Sequence, residues 1–206
     1  AYPYNMDFRV LEINAVGNKK IVTGGFKEGY WGALDSQNHI IPNVAELPFD
    51  AGEVSGLEKG TVFGGILKAN SKQSKFVLSI RASDVFEIYR VSDDGINRVY
   101  VSPFKHIPKT LKKGGGYAID YNQSIGGIKN IAISDDLICF SLFLQNYNEA
   151  AKIDFASNEL FCFDWDGNKV KKYVLPFPIG NFCIDGTHIY GVRNFEDKII
   201  IYRFNM

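Results

Sequence analysis

The chain of 206 residues has only three cysteines, three histidines and two methionines, and it has no long apolar run. No stretch approaches the roughly 20 residues that cross a bilayer as a helix, so no helical membrane span is expected. The first residues, AYPYNMDF, have neither a basic n-region nor an apolar h-region, and no signal peptide is read there. The chain opens on Ala1 rather than Met, as expected of a mature or trimmed product. An excess of either charge is also missing. Lysine plus arginine total 23 and aspartate plus glutamate total 23, which leaves no electrostatic footprint for nucleic acid.

The cysteines, Cys139, Cys162 and Cys183, are odd in number and widely spaced, each in an apolar run (LICFSLF, ELFCFDW, NFCIDG). That pattern is neither a disulfide framework nor a zinc site. It predicts three buried thiols acting as small apolar residues. His39, His106 and His188 show no ligand spacing, so no histidine metal site is expected. A Gly-x-Ser-x-Gly nucleophile motif and a Walker loop are both absent. No cofactor is expected.

What is present is a globular composition, 46% hydrophobic and 14% aromatic. Helical periodicity is nearly absent. Short apolar or alternating runs rich in Val, Ile, Tyr and Phe recur between Gly, Asn, Asp and Ser. Four stretches read as strand, tight turn, strand: residues 8–25, 64–80, 128–143 and 181–193. Val22, Val77, Cys139 and Tyr190 occupy matching points, at steps of 55, 62 and 51 residues. Each pair is followed by a further strand, and in three cases by a hairpin: residues 30–44, 86–101 and 160–175. The fourth unit, ending in KIIIYRFNM, stops after its third strand.

The units, about 8–47, 64–104, 125–176 and 181–206, are therefore four-stranded antiparallel meanders with strands a to d. One such sheet cannot cover both its faces, and a pile of hairpins would leave long edges exposed. Repetition at this period favours radial stacking. The expected fold is all-β, a partial or small β-propeller of about four blades in a single domain over residues 1–206.

The stretch DWDGN (164–168) poses a choice between a metal loop and a turn. Asp-Gly between alternating runs is a strong hairpin signal. A calcium loop needs more oxygen ligands and a later glutamate, whereas Lys169, Lys171 and Lys172 follow here. The expectation is a turn.

The segments IAISDDLICFSLF, LFCFDWDGNKVKKYVL, FCIDGTHIYGV and EDKIIIYRF resemble the C-terminal blades of the TolB-like six-bladed β-propeller proteins of bacterial cell envelopes. GGFKEGYWGALDSQNHII and GGILKANSKQSKFVLSIRASDVFEIYRV resemble the blades before them. The resemblance implies an extracytoplasmic protein, in the periplasm or at the cell surface, lipid-anchored in its full-length form. It supplies no catalytic residues. A six-bladed ring needs well over 300 residues, so the chain is expected to be a fragment, a short version or a smaller ring. AYPYN is a candidate closing strand, with Pro3 confining it to an edge.

Loop lengths carry the functional signal. In an a-b-c-d meander the a–b and c–d turns share one end, and the b–c and d–a connections share the other. The long connectors, 48–63, 103–126 and 144–158, are all of the second kind, so all are expected on one rim, where binding residues concentrate on rigid scaffolds. The connector 103–126 offers Lys105, His106, Lys109, Lys112 and Lys113, then Gly114 to Gly116, Tyr117, Asp120 and Tyr121. It reads either as a solvated loop or as an anion or glycan contact built from lysines and backbone amides. Shorter b–c segments add Lys27, Glu28, Tyr30 and Trp31, then Arg81 and Asp84, then Arg193 and Glu196.

The candidate ligand-binding set is Lys27, Glu28, Trp31, Arg81, Asp84, His106, Lys112, Tyr117, Tyr121, Tyr147 and Arg193. For Trp31, packing between blades is an equal alternative. The expected function is non-catalytic binding of a glycan, a peptide or an envelope protein. The alternative is a carbohydrate-active enzyme with acids converging at the axis, drawn from Glu28, Asp84, Asp120, Glu149 and Glu196.

Overall fold

A computed structural model describes residues 9–26, 29–41, 46–103, 105–195 and 198–206. The first sheet is β1 (Arg9–Val16), β2 (Lys19–Gly25), β3 (Trp31–Leu34) and β4 (Ile40–Ile41), in that order. The second is β5 (Gly64–Asn70), β6 (Lys75–Ile80), β7 (Phe86–Ser92) and β8 (Gly95–Val101). A separate hairpin, β9 (Thr110–Lys113) and β10 (Gly116–Ile119), follows. The third sheet is β11 (Ile125–Ile133), β12 (Leu137–Asn146), β13 (Ser157–Asp164) and β14 (Lys169–Ile179). The fourth has three strands, β15 (Asn181–Ile184), β16 (His188–Phe195) and β17 (Lys198–Asn205). Every neighbouring pair is antiparallel.

Whether such sheets fan out or lie as a sandwich is decided by which faces are covered. In a sandwich each sheet buries one face. Here the second and third sheets bury both. All six residues of β6 are buried: Phe76, Leu78 and Ile80 pack toward the first sheet with Ile21, Trp31 and Ala33. Val77, with Phe86 and Ile88, packs toward Ile131, Ile138, Phe140 and Phe163 of the third. The other face of the third sheet, with Cys139, Leu160 and Cys162, meets Phe182 and Ile189 of the fourth. The first strands β1, β5, β11 and β15 adjoin one another in sequence order and form the hub. The fold is therefore an arc of four propeller blades, as the repeat predicts.

Aromatic rings cement each blade junction. Trp31 lies 5.1 Å from Phe76 and 4.9 Å from Tyr89. Phe86 lies 5.0 Å from both Phe140 and Phe163, and Phe177 is 4.1 Å from Tyr202. Full burial of such a side chain contributes about 1.5–3 kcal/mol. On the outer face of the fourth blade Ile199 and Ile201 are 74% and 69% exposed.

The cysteine expectation is overturned. Cys139 and Cys162 form a disulfide, and Cys183 is an exposed free thiol. The reason is register. Cys139 and Cys162 stand directly opposite one another on β12 and β13, at a Cα separation of 4.1 Å. Spacing along the chain carries no information about cross-strand partners. Cys183 lies on the face of the fourth blade turned away from the third.

DWDGN is a turn. The Asp164 carboxylate accepts bonds from the Asp166 and Asn168 amides, both at 2.9 Å, and Gly167 takes φ +87°. The same device recurs at Asp35, which accepts from the Gln37 and His39 amides, and at Asp185, which accepts from those of Thr187 and His188. DWDGN also locks two blades together. Trp165 fills the junction between blades two and three. Asp166 receives the buried Lys75 ammonium of blade two at 2.7 Å, and the Trp165 carbonyl accepts from the same group at 3.0 Å.

Two short helices interrupt the connectors: α1 (Gly56–Phe63) and α2 (Tyr147–Lys152). Ser55-Gly56-Leu57-Glu58 is a capping-box sequence, and the Ser55 amide and hydroxyl both donate to the Glu58 carboxylate. Helix α1 lies directly on β2. A Cβ on Gly60 would stand 1.3 Å from the Gly24 carbonyl oxygen.

Candidate functional site

The meander places the b–c and d–a connections at one end of the arc, and the three long connectors meet there. Residues 48–63 and 103–126 are joined by Glu58, which accepts from the Tyr117 amide at 3.0 Å. Glu53 accepts from the Tyr117 hydroxyl at 2.6 Å and pairs with Lys112 at 3.0 Å. Residues 103–126 and 144–158 are joined through Asn122. Its carbonyl oxygen accepts from Asn146 at 2.7 Å and its side-chain oxygen from Asn148 at 2.8 Å. The Tyr147 amide donates to the Ser124 carbonyl at 2.9 Å. The rim is thus a bonded platform.

The connector 103–126 is neither a free loop nor an open glycine cradle. Its glycines close the β9–β10 hairpin, with Gly114 and Gly115 at φ +61° and +87° as a two-residue turn requires. Lys112 and Tyr117 are engaged with Glu53 on this exposed hairpin. Asp84 and His106 are brought together as a clamp. The Asp84 carboxylate accepts from the His106 amide at 3.1 Å and lies 3.0 Å from its Nδ1. Ser83 Oγ donates to the His106 carbonyl at 2.9 Å. This pins the start of the connector to the b–c turn of blade two.

Of the two readings of Trp31, the structure gives packing between blades. Trp31 is 1% exposed, wedged between blades one and two. Beside it the Tyr30 hydroxyl donates to Glu87, whose other oxygen accepts from Arg98 at 2.8 Å. Burial pushes the Glu87 carboxyl up despite these bonds, and it has no solvent exposure. Lys27, Glu28 and Glu196 lie outside the described residues, as does AYPYN.

Arg81, Tyr121 and Tyr147 do converge. The segment 81–83 runs beside β11 of the next blade: Arg81 bridges Gly127, and the Ile128 amide donates to the Ser83 carbonyl at 3.2 Å. Gly127 has φ +71°, and a Cβ there would stand 2.5 Å from the Ser83 nitrogen, so only glycine permits this approach. Two residues further on, the pairing of β11 with β12 slips between Ile128 and Asn130, leaving Lys129 at a β-bulge. Its Nζ lies 4.4 Å from the Tyr147 ring centre and 3.9 Å from that of Phe155, and donates to the Tyr147 hydroxyl at 3.2 Å. Tyr121 packs on Tyr147 at 4.0 Å. Asp154 and Phe155 both take φ +50°, a conformation that costs a residue with a Cβ roughly 1–2 kcal/mol. That backbone sets the Phe155 ring against Lys129.

Lys129 and Phe155 were not among the sequence candidates. The Gly-Gly pair at 126–127 within a strand pattern is a bulge signal and was the available clue to Lys129. Nothing in the sequence marks Phe155.

On the other side of the 153–156 segment, a cleft of about 600 Å³ opens between blades three and four. Lys152, Asp154, Gly180, Asn181, Val192 and Arg193 line it. Arg193, on β16 of blade four, lies in the lining of this cleft. Among the described residues, no group of three or more His, Cys, Asp or Glu side chains is arranged to hold a metal ion.

Radial four-stranded meanders around a hub of first strands, with long connectors on one rim, define a β-propeller scaffold. The chain belongs to the TolB-like 6-blade propeller-like family, whose pattern matches residues 4–187. No curated protein matches it. Among solved structures it is similar to the β-propeller domain of Myceliophteria thermophila Cps50 (Swd1), at 11% identity and a TM-score of 0.52 over 94% of this chain and 53% of that one. Saccharomyces cerevisiae Sqt1 matches at 12% identity and TM-score 0.48, over 97% of this chain and 45% of that one. BamB from Moraxella catarrhalis matches at 10% identity and 0.43, over 95% and 58%. The chain thus spans about half the length of each. Among the described residues no helix is long and apolar enough to cross a membrane.

Proposed function

We propose that this chain is a non-catalytic binding propeller of the bacterial cell envelope, which takes a glycan, a peptide or an envelope protein on its long-connector rim. The carrying observation is that the three long connectors fold onto one another there. They offer exposed polar groups and aromatic faces beside a cleft, as ligand sites do. Family membership and the buried disulfide support an oxidising, extracytoplasmic compartment.

The alternative, a carbohydrate-active enzyme, needs two free acids about 5–10 Å apart. Of the candidate acids, Asp84, Asp120 and Glu149 are otherwise engaged. Asp84 holds His106, and Asp120 accepts from the Asn122 amide and Gln123. Glu149 pairs with Lys152 at 2.6 Å. The buried Glu87 is out of reach of any substrate.

The test is a glycan and peptide screen, repeated with Tyr121→Ala, Tyr147→Ala and a form shortened across 103–126. Loss of at least tenfold in affinity in these forms is expected. Undiminished binding in all three would remove the rim from consideration.

A further inference from the structure

We propose that Arg81 and Lys129 form a subsite for an oxyanion, the carboxylate or sulfate type of group, at the hub of the long-connector rim. The inference rests on the binding reading above and names the chemistry that the rim recognises.

Two cations sit on touching segments. Arg81 bridges Gly127, and Lys129 follows two residues along the same strand. Burial is the larger cause that disfavours protonation of Lys129, and the nearby Arg81 charge adds to it. Lys72, Lys75, Arg98, Lys112, Lys152 and Lys172 each have an acid within 3.0 Å. Among the described residues, Arg81 and Lys129 have none. Arg81 donates through Nη1 to the Thr61 carbonyl at 3.2 Å, which leaves further guanidinium donors to spare. Lys129 has a phenol oxygen and two ring faces. Those faces favour a cation but do not neutralise it.

The arrangement is also built rather than incidental. A β-bulge re-aims Lys129, a positive-φ glycine admits the Arg81 segment, and the left-handed backbone at Phe155 supplies one wall. The left-handed backbone at Asp154 and Phe155 costs stability and is a ground for proposing a use for this point. Both side chains remain partly open to solvent. An oxyanion between them would accept from both donors and relieve their repulsion. A free inorganic ion and an acidic sugar both carry this group.

The experiment titrates the full chain with sodium sulfate and, separately, with sodium glucuronate at constant ionic strength. Glucose and sodium chloride serve as controls, and calorimetry and melting temperature as readouts. Saturable binding of sulfate or glucuronate, weakened at least tenfold by Lys129→Met, Lys129→Gln and Arg81→Met but not by Lys169→Met on the opposite rim, is expected. Tighter glucuronate than sulfate with glucose silent assigns the anion to a sugar. Sulfate alone assigns it to a free ion. Saturation by neither probe, or saturation that survives all three substitutions, overturns the subsite. A neutral glycan bound at the rim with undiminished affinity in Lys129→Met overturns the subsite while the binding reading stands. Sulfate saturation with no glycan or peptide response does the reverse.

Discussion

Lys129 is held by ring faces where a carboxylate would ordinarily stand, and that choice has a measurable consequence. Burial pushes its ammonium down to about 8, with the nearby Arg81 charge adding to the effect. An unfolded lysine keeps its ordinary value of 10.5. Between the two, the unfolded chain binds more protons than the folded one, so stability rises with pH. The cost of the folded ammonium is full below about 8 and is gone above 10.5. Lys129→Met removes it. After allowance for solvent screening, the variant should melt about 2–4 °C above wild type at pH 7, with the gap closing toward pH 10.5. A variant that melts lower at pH 7 would show that the ammonium is compensated after all. Asp185 behaves in the opposite sense. Amide bonds from Thr187 and His188 hold it down at about 2, so its contribution is present above the ordinary carboxylate range and lost as pH falls through about 2. Asp185→Asn should flatten that part of the acid unfolding curve.

Among the elements, the c–d turn of blade three is asymmetric in what it risks. Lys75 is buried, while its partner Asp166 is 62% exposed. Asp166→Ala strands a buried ammonium and should cost about 2–4 kcal/mol. Lys75→Met leaves only an exposed carboxylate and should cost about 1 kcal/mol or less. Urea unfolding of both variants gives the order, and a reversed order would sink this account of the lock. Helix α1 sits on β2 without space for a methyl group, so Gly60→Ala should cost about 1–3 kcal/mol. The disulfide joins β12 to β13 across a separation of 23 residues. Its reduction should cost about 3 kcal/mol, and alkylation of the native, unreduced chain should label Cys183 alone.

At the scale of the whole molecule, the two rims divide the work. The a–b and c–d rim is tied down by Asp35, Asp164 and Asp185, and by the bonds of Asn70 to the carbonyls of Ser134 and Asp135 on the next blade. The other rim carries the connectors. Asp164→Ala should therefore lower the melting temperature and leave ligand affinity within about twofold, whereas Tyr147→Ala should do the converse. A loss of affinity in Asp164→Ala comparable to that in Tyr147→Ala would mean that the rims are not separable. The sequence made this division legible, because connection length and strand parity alone place the long segments at one end. It did not reveal the site within that end. Arg81, Tyr121 and Tyr147 were legible as candidates, but their partner Lys129 lies mid-strand and is re-aimed only by a slip in cross-strand register.

The sequence by itself determined the meander, the four-fold repeat, the Asp-led turns and the end on which the connectors lie. Each of these follows from local chemistry: alternation, turn residues and the direction of successive strands. Only the tertiary structure decided that Cys139 meets Cys162, that Trp31 is core, and that Gly114 and Gly115 close a hairpin. It alone brought together two cations from different blades that meet no acid among the described residues. These facts depend on which residues face one another across strands and blades, and no spacing along a single chain encodes that.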